Sequence, residues 1–110
     1  MNQNKIFEIL SEEQFDKILT IKRLILIDFN AKWCQPCNRI KPFFKNLAEN
    51  YPSVAFLSIN VDHHPNISER FQVTALPTFI FVGKNKILHK VLGSDIEQVE
   101  EVLKKFTSRG

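Results

Sequence analysis

Apolar segments of strand length alternate with segments of helical spacing along the chain. Five apolar segments have the length of strands and lie at residues 6–10, 24–29, 54–61, 78–82 and 86–92. Residues 24–29 and 54–61 are nearly continuous apolar runs, which is typical of strands buried on both faces. Lys84 and Asn85 separate the last two segments, and asparagine tolerates the left-handed backbone of a tight turn. These two segments therefore predict a hairpin.

Helices are predicted between and after these strands. Residues 11–14 and 94–97 each read Ser-x-x-Glu/Gln, the form of a capping box, and predict helices that begin at Ser11 and Ser94. A further helix follows Cys37, and we expect Pro42 to bend it because proline removes one internal hydrogen bond. A short helix is predicted over 66–71. The last helix is expected to bury one apolar stripe, formed by Ile96, Val99, Leu103 and Phe106.

The resulting order, βαβαβαββα, predicts an α/β fold. We expect a central mixed sheet with helices on both faces and an antiparallel pair of strands at one edge. The chain has 110 residues, of which 44% are hydrophobic, so it is long enough for one compact core. No linker, repeat or low-complexity segment divides it, and residues 1–110 are expected to form a single domain.

The net charge and the N-terminal residues argue against several classes of function. The net charge of +3 is too small and too scattered to indicate binding of nucleic acid or of an anionic membrane. The first residues contain no apolar core of an export signal, and no stretch has the length of a membrane span. We expect a cytoplasmic monomer, while the sequence leaves open whether a leader was removed from a longer precursor.

The chemistry of the chain is concentrated in its two cysteines, Cys34 and Cys37, which follow the buried strand predicted at 24–29. If a helix begins at the first cysteine, the i, i+3 spacing places both sulfurs on one face, within reach of each other. The helix N-terminus favours a thiolate on Cys34. A loop this short is a poor structural staple, so the pair is interpreted as a redox site.

Two other interpretations of the cysteines are a pair of inert core thiols and half of a zinc site. A tetrahedral zinc site needs two more ligands. His63 and His64 lack the usual separation, and adjacent residues in an extended segment point in opposite directions. The redox interpretation is favoured, no metal site is expected, and no role is assigned to His63, His64 or His89.

Asp28 is a second candidate for chemistry. It lies between Ile27 and Phe29 in the buried strand. An unpaired carboxylate in apolar surroundings resists ionisation, so its pKa is expected to rise. A carboxyl group that titrates near neutral pH is suited to act as a general acid or base. The alternative is a carboxylate at a strand end that faces water.

An ordered set of motifs along essentially the whole chain resembles the thioredoxin family. The set comprises Ile27-Asp28-Phe29, Trp33-Cys34-Gln35-Pro36-Cys37, Pro42, Leu76-Pro77-Thr78 and Gly93. The resemblance implies the thioredoxin fold, with Cys34 as the exposed nucleophile and Cys37 as the buried resolving thiol. It also implies that Asp28 exchanges a proton with the resolving thiol.

The resemblance further implies where substrate binds. Pro77 is expected to have a cis peptide bond against the dithiol, and Leu76 to pair its main chain with a bound peptide. An apolar surface for partner proteins is expected from Trp33, Leu76, Pro77, Leu92 and Gly93, with Gln35 and Pro36 beside the nucleophile.

Three positions depart from the common family pattern. Gln35 replaces the glycine usual between the cysteines, and Asn30 stands where many bacterial members have an aromatic residue. Asn60 is assigned to the position of a lysine near the buried aspartate. Without that lysine, the proton affinity of Asp28 is expected to depend more on desolvation alone.

The function implied by the resemblance is reduction of protein disulfides by dithiol exchange, with no bound cofactor. The implied partners are disulfide-containing proteins and a flavin- and NADPH-dependent thioredoxin reductase as electron donor. Two alternatives stay open at this point: a disulfide oxidase or isomerase of a secretory compartment, and a thioredoxin-like binding subunit of a larger assembly.

Overall fold

The computed structural model describes residues 4–108, and within them strands and helices follow the predicted order. The strands are β1 (Ile6–Glu8), β2 (Ile25–Asn30), β3 (Ala55–Asn60), β4 (Thr78–Gly83) and β5 (Lys86–Leu92). The helices are α1 (Glu12–Leu19), α2 (Gln35–Asn50), α3 (Pro65–Arg70) and α4 (Ile96–Thr107).

The strands form one mixed sheet in the order β1-β3-β2-β4-β5. β3 lies parallel to β1 and to β2, whereas β4 is antiparallel to both β2 and β5. Every residue of β2 is buried, as its nearly continuous apolar run predicted. The predicted mixed sheet with an antiparallel pair at one edge is confirmed.

Alternating side chains divide the core into two clusters, one on each face of the sheet. The cluster on the α1/α3 face includes Phe15, Ile27, Phe29, Leu57 and Ile67. The cluster on the α2/α4 face includes Leu26, Phe44, Phe56, Phe79 and Val99. Helices therefore cover both faces of the sheet, and the site described below lies on the second face.

On the α2/α4 face, two neighbouring strands change from apolar to polar towards their C-terminal ends. Leu26 and Phe56 pair in the apolar part of the parallel register. Beyond them the same face carries four polar residues, here called the polar end of the sheet: Asp28, Asn30, Ser58 and Asn60. Asp28 pairs with Ser58 and Asn30 with Asn60, so the four lie at two successive levels of one strand pair.

The helix ends agree with the capping predictions at α1 and differ at α4. Ser11 caps α1, and its hydroxyl accepts a hydrogen bond of 3.0 Å from the backbone N–H of Gln14. At α4 the predicted cap, Ser94, is wrong: Asp95 is the N-cap, and its carboxylate accepts a hydrogen bond of 3.2 Å from the backbone N–H of Gln98. The carboxylate is also favoured by the positive end of the helix dipole.

The apolar stripe of α4 is confirmed only in part. Val99 and Leu103 are fully buried, but Phe106 is 39% exposed and contacts the ring of Phe81 at 5.9 Å between centroids. Val102 is buried instead. Phe106 therefore lies at the margin of the apolar cluster and is partly open to solvent.

Residues other than glycine adopt the left-handed backbone in two turns. Lys84 and Asn85 have φ angles of 51° and 66° and form the predicted hairpin turn. Gln72, with φ of 56°, follows α3. Its N–H bonds to Glu69 O at 3.0 Å and the N–H of Val73 bonds to Ser68 O at 2.9 Å, which is a complete Schellman motif with glutamine at the usual glycine position.

Candidate active site

The two cysteines meet at the N-terminus of α2. Cys34 is the N-cap, as the predicted helix start required, and it is joined to Cys37 by a disulfide with a Cα–Cα distance of 5.3 Å. The backbone N–H of Cys37 donates a hydrogen bond of 3.2 Å to Sγ of Cys34. A sulfur in this position receives both an N–H and the positive end of the helix dipole, which favour a thiolate when the disulfide is reduced.

The expected exposure of Cys34 is wrong for this oxidised state. Cys34 is 4% exposed and Cys37 is 2% exposed. Both pack in a small apolar cluster with Ala31, against which Val61 and Leu76 also lie. The two cysteines are almost equally buried. They differ in position, since only Cys34 lines the groove described next.

A groove of about 550 Å³ runs along the surface beside Cys34. It is lined by Trp33, Cys34, Gln35, Pro36, Val61, Ser68, Val73, Thr74, Ala75 and Leu76. None of these side chains is charged, so the groove suits an uncharged, partly apolar segment. Sequence reasoning missed five of them, from Val61 to Ala75. Val73, Thr74 and Ala75 directly precede Leu76 in the sequence, and this closeness to a predicted contact residue was the available indication for them.

The predicted cis bond between Leu76 and Pro77 is confirmed. Pro77 itself is buried, which corrects the expectation that its ring contributes to the contact surface. Its carbonyl accepts a hydrogen bond of 2.9 Å from the N–H of Gly93, which brings the residue pair Leu92 and Gly93 to this end of the sheet. Leu92 is 62% exposed, so it is available for contact, and Gly93 is half-buried.

Trp33 is 68% exposed, as expected of a contact residue. Its indole Nε1 donates a hydrogen bond of 2.8 Å to Oδ2 of Asp62. Asp62 in turn follows the end of β3, where Oδ1 of Asn60 accepts its N–H at 2.8 Å. The loop after β3 therefore fixes the orientation of the ring beside the disulfide.

Asp28 is buried and has a strongly altered acidity. Burial raises its pKa from 3.8 to about 7, although the nearby Asn30 amide and the positive charge of Lys41 act in the opposite direction. Its Oδ1 is the one buried side-chain oxygen in residues 4–108 without a hydrogen-bond partner. Lys41 lies one turn after Cys37 in α2, so the carboxyl group faces the first turns of that helix. The predicted rise in pKa, caused mainly by desolvation, agrees with this.

The residue opposite Asp28 on β3 is Ser58, and the sequence assignment of Asn60 to that position is wrong. Asn60 pairs with Asn30 one level further along. Asn30 is 7% exposed, and its Nδ2 donates to Ser58 Oγ at 2.9 Å and to the backbone oxygen of Asp28 at 3.1 Å. The alternation of polar residues along both strands indicates in the sequence that these residues share one face of the sheet. The register between the strands is needed to show which of them lies beside Asp28.

The histidines lie outside this arrangement. Nε2 of His64 lies 2.9 Å from the backbone oxygen of Ile9 and links the start of α3 to the end of β1. In the part of the chain that the structure describes, no group of three or more His, Cys, Asp or Glu side chains is placed to hold a metal ion. Nor does any helix within residues 4–108 combine the length and apolar character needed to cross a membrane.

These elements define a class of protein. A disulfide that closes across a helix N-terminus, with one sulfur on a groove and a carboxyl group of near-neutral pKa below the helix, is equipped to exchange disulfides and move a proton. The site is that of a thiol-disulfide oxidoreductase.

Comparison with known proteins gives the family. Residues 6–107 match the family model described as Thioredoxin. The chain is 42% identical over 84 residues to a thioredoxin of Ophiophagus hannah, covering 76% of this chain and 80% of that protein. It is 38% identical over 93 residues to thioredoxin H1 of Arabidopsis thaliana, covering 84% and 82%. The protein belongs to the thioredoxin family.

A solved structure agrees with this. The crystal structure of thioredoxin from Trypanosoma brucei brucei superposes with a TM-score of 0.90 at 29% identity, covering 94% of this chain and 91% of that one. The fold is therefore the thioredoxin fold, as the resemblance implied.

Proposed function

We propose that this thiol-disulfide oxidoreductase reduces disulfides in proteins, with Cys34 as the nucleophile and Cys37 as the resolving thiol. The observation that carries the assignment is the difference in position of the two sulfurs. Cys34 lines the groove and receives the N–H of Cys37, whereas Cys37 lies behind it. A substrate disulfide in the groove therefore meets Cys34 first.

The exchange takes two steps. The Cys34 thiolate attacks one substrate sulfur, so that a Cys34-substrate disulfide forms and the other substrate sulfur leaves as a thiolate, which takes up a proton. Cys37 then loses its proton, attacks Sγ of Cys34 and releases the second substrate thiolate. The substrate gains two electrons, and the protein is left with the Cys34–Cys37 disulfide seen in this structure.

Asp28 is proposed as the group that takes the proton from Cys37. A carboxyl group with a pKa of about 7 is ionised in a large fraction of molecules at neutral pH, yet releases its proton again readily. Its unpaired Oδ1 leaves one oxygen free to accept that proton.

We infer that the substrates are disulfide-containing proteins that rest on the apolar surface around the groove. Trp33 and Leu92 supply large exposed apolar area there, beside Gln35, Pro36 and Leu76. The electron donor proposed is a thioredoxin reductase, because each turnover leaves an oxidised protein that needs a dithiol donor. A reducing compartment suits this cycle, so we propose the cytoplasm as the location, with the chain acting as a monomer.

Reduction of insulin by dithiothreitol tests the nucleophile. The wild-type protein is expected to shorten the time before insulin precipitates, and Cys34→Ser to give the time of dithiothreitol alone. Ser53→Ala, an exposed change before the start of β3 and so at the opposite end of the sheet, serves as the control and should keep full activity. A Cys34→Ser variant as active as wild type would end the assignment.

The direction of electron flow is tested by equilibration with glutathione. Thioredoxins lie near about −270 mV, well below the oxidants of secretory compartments at about −120 to −180 mV. A midpoint in the lower range is expected here. A midpoint in the upper range would replace the reductase by an oxidase or isomerase.

A further inference from the structure

The polar end of the sheet contains a hydrogen-bonded pair that the exchange mechanism does not use. Asn30 is buried at the end of β2, and the two hydrogen bonds donated by its Nδ2 go to Ser58 Oγ at 2.9 Å and to the Asp28 backbone oxygen at 3.1 Å. The amide also lies close enough to the Asp28 carboxyl group to favour its ionised form. A buried amide shared in this way holds its neighbours in fixed positions.

Ser58 is held beside Asp28 by this amide. In the hydrogen bonds of residues 4–108, Ser58 Oγ takes part only as an acceptor, from Asn30, so its own hydrogen is available. Ser58 stands at the same level as Asp28 on the neighbouring parallel strand, and the two side chains project to the same face. Oδ1 of Asp28 is buried and has no donor.

We propose that Ser58, oriented by Asn30, is a positioning residue for Asp28 and that its hydroxyl donates a hydrogen bond to the carboxylate when Asp28 is ionised. The proposal rests on the role of Asp28 in the proposed function. A hydroxyl that accepts one hydrogen bond from a buried amide has its rotation limited, so its hydrogen is directed before the carboxylate loses its proton. The pair thereby takes the place of a solvating water molecule.

Two other groups favour the ionised carboxylate. The side chain of Asn30, two residues further along β2, acts by hydrogen bonding, and Lys41 on α2 supplies a positive charge. Cys37 is held in the disulfide and does not titrate in the oxidised protein, and the residue paired with Asp28 on β4 is the apolar Phe79. The hydroxyl of Ser58 is therefore the donor that the neighbouring strand β3 supplies at the level of the carboxyl group.

The test is the titration of Asp28 followed by carbon NMR in the oxidised protein, where no thiol titration overlaps. Ser58→Ala is expected to raise the Asp28 midpoint by about one pH unit, since hydrogen bonds to charged groups have this size. Ser58→Thr keeps the hydroxyl and should restore the wild-type midpoint. An unchanged midpoint in Ser58→Ala overturns the proposal, as does a Thr variant that behaves like Ala.

The orienting role of Asn30 is tested by a double-mutant comparison. Asn30→Ala should raise the same midpoint by more than Ser58→Ala does, because it removes the amide's own effect on the carboxyl group as well as its hold on Ser58. The double variant should shift the midpoint by clearly less than the sum of the two single shifts, because part of the effect of Asn30 passes through Ser58. Strict additivity overturns the orienting role.

A kinetic comparison separates this inference from the proposed function. In the reduced protein, Ser58→Ala should move the acidic limb of the pH-rate profile to higher pH by about the shift of the Asp28 midpoint. In an Asp28→Asn background, Ser58→Ala should have no effect on that limb. If Cys34→Ser stays active, the proposed function fails. If only the Asp28 midpoint is insensitive to Ser58, the exchange mechanism stands and this inference fails.

Discussion

The indole Nε1 of Trp33 donates a hydrogen bond of 2.8 Å to Oδ2 of Asp62, and this contact holds the largest exposed ring of the site against the loop after β3. Removing the acceptor should free the ring and weaken the surface that receives a protein substrate. We expect Asp62→Ala to lower kcat/KM for insulin about fivefold, the effect of about 1 kcal/mol for one hydrogen bond.

Trp33 is the only tryptophan of the chain, so its fluorescence reports the same change directly. Asp62→Ala should lower its fluorescence anisotropy, and Asp62→Asn, which keeps an oxygen acceptor, should retain most of the wild-type value. A small symmetrical disulfide needs no broad surface and should be reduced at the wild-type rate. Loss of activity on both kinds of substrate would contradict the role assigned to the ring.

The buried carboxyl group of Asp28 should make the protein less stable as pH rises. The folded state holds the proton up to a pKa of about 7, whereas the unfolded chain releases it near 3.8, so the free energy of unfolding falls across this window and is flat above it. Each pKa unit is worth 1.36 kcal/mol, so the free energy of unfolding falls by about 4 kcal/mol over this window.

We expect Asp28→Asn to be more stable than wild type by up to about 4 kcal/mol at pH 8.5 and nearly equal to it near pH 3.5. Urea unfolding of the oxidised proteins at several pH values measures the difference. Glu101→Gln, which removes an exposed carboxylate from the middle of α4, is the control and should run parallel to the wild-type curve. Parallel curves for Asp28→Asn and wild type would refute the altered acidity.

Cys37→Ser should trap substrates on the nucleophile. Without the resolving thiol, the first exchange stops at a mixed disulfide between Cys34 and the substrate. Incubation with an oxidised protein substrate should yield a covalent adduct that runs as one band on a non-reducing gel and is released by dithiothreitol. The double variant Cys34→Ser with Cys37→Ser should give no adduct; an adduct there would place the chemistry outside this pair.

Gln72 occupies the left-handed position that ends α3, with φ of 56°. A side chain costs about 1–2 kcal/mol in this conformation, and glycine loses about 0.5–1 kcal/mol through the greater freedom of the unfolded chain. Gln72→Gly should therefore raise the free energy of unfolding by about 0.5–1 kcal/mol. Glu69→Gly, inside the same helix, should lower it by about 1 kcal/mol. If Gln72→Gly instead lowers the free energy of unfolding, the Gln72 side chain stabilises the fold by more than its left-handed backbone costs.

The order of the strands along the chain and the limits of the central strands could be predicted closely, because a buried strand leaves a continuous apolar run. β2 is shifted by only one residue. β5 also has its predicted limits, Lys86–Leu92, although it is mostly exposed, because the hairpin turn marks where it begins. The helix cap of α4 was wrong because Ser94 and Asp95 are both good caps by composition. The backbone conformation that selects Asp95 is set by the turn after β5 and is not visible in the local sequence.

The site was predicted less completely than the fold. Cys34, Cys37 and Asp28 could be recognised from local spacing, but the neighbours of Asp28 could not. They depend on the register between β2 and β3, which is fixed by how the long connection through α2 returns to the sheet. The resemblance alone assigns Asn60 to the position beside Asp28, and the register shows Ser58 there. The burial of Pro77 and of Cys34 likewise follows from tertiary packing.

The two faces of the sheet differ in a way that bears on how this chain can change. All the polar residues that serve the disulfide lie on the α2/α4 face, whereas the cluster on the α1/α3 face is wholly apolar. Substitutions that retune the proton affinity of Asp28 thus fall on one layer, while the opposite layer supplies stability undisturbed. Such a division lets the acidity of the carboxyl group change without a change of scaffold.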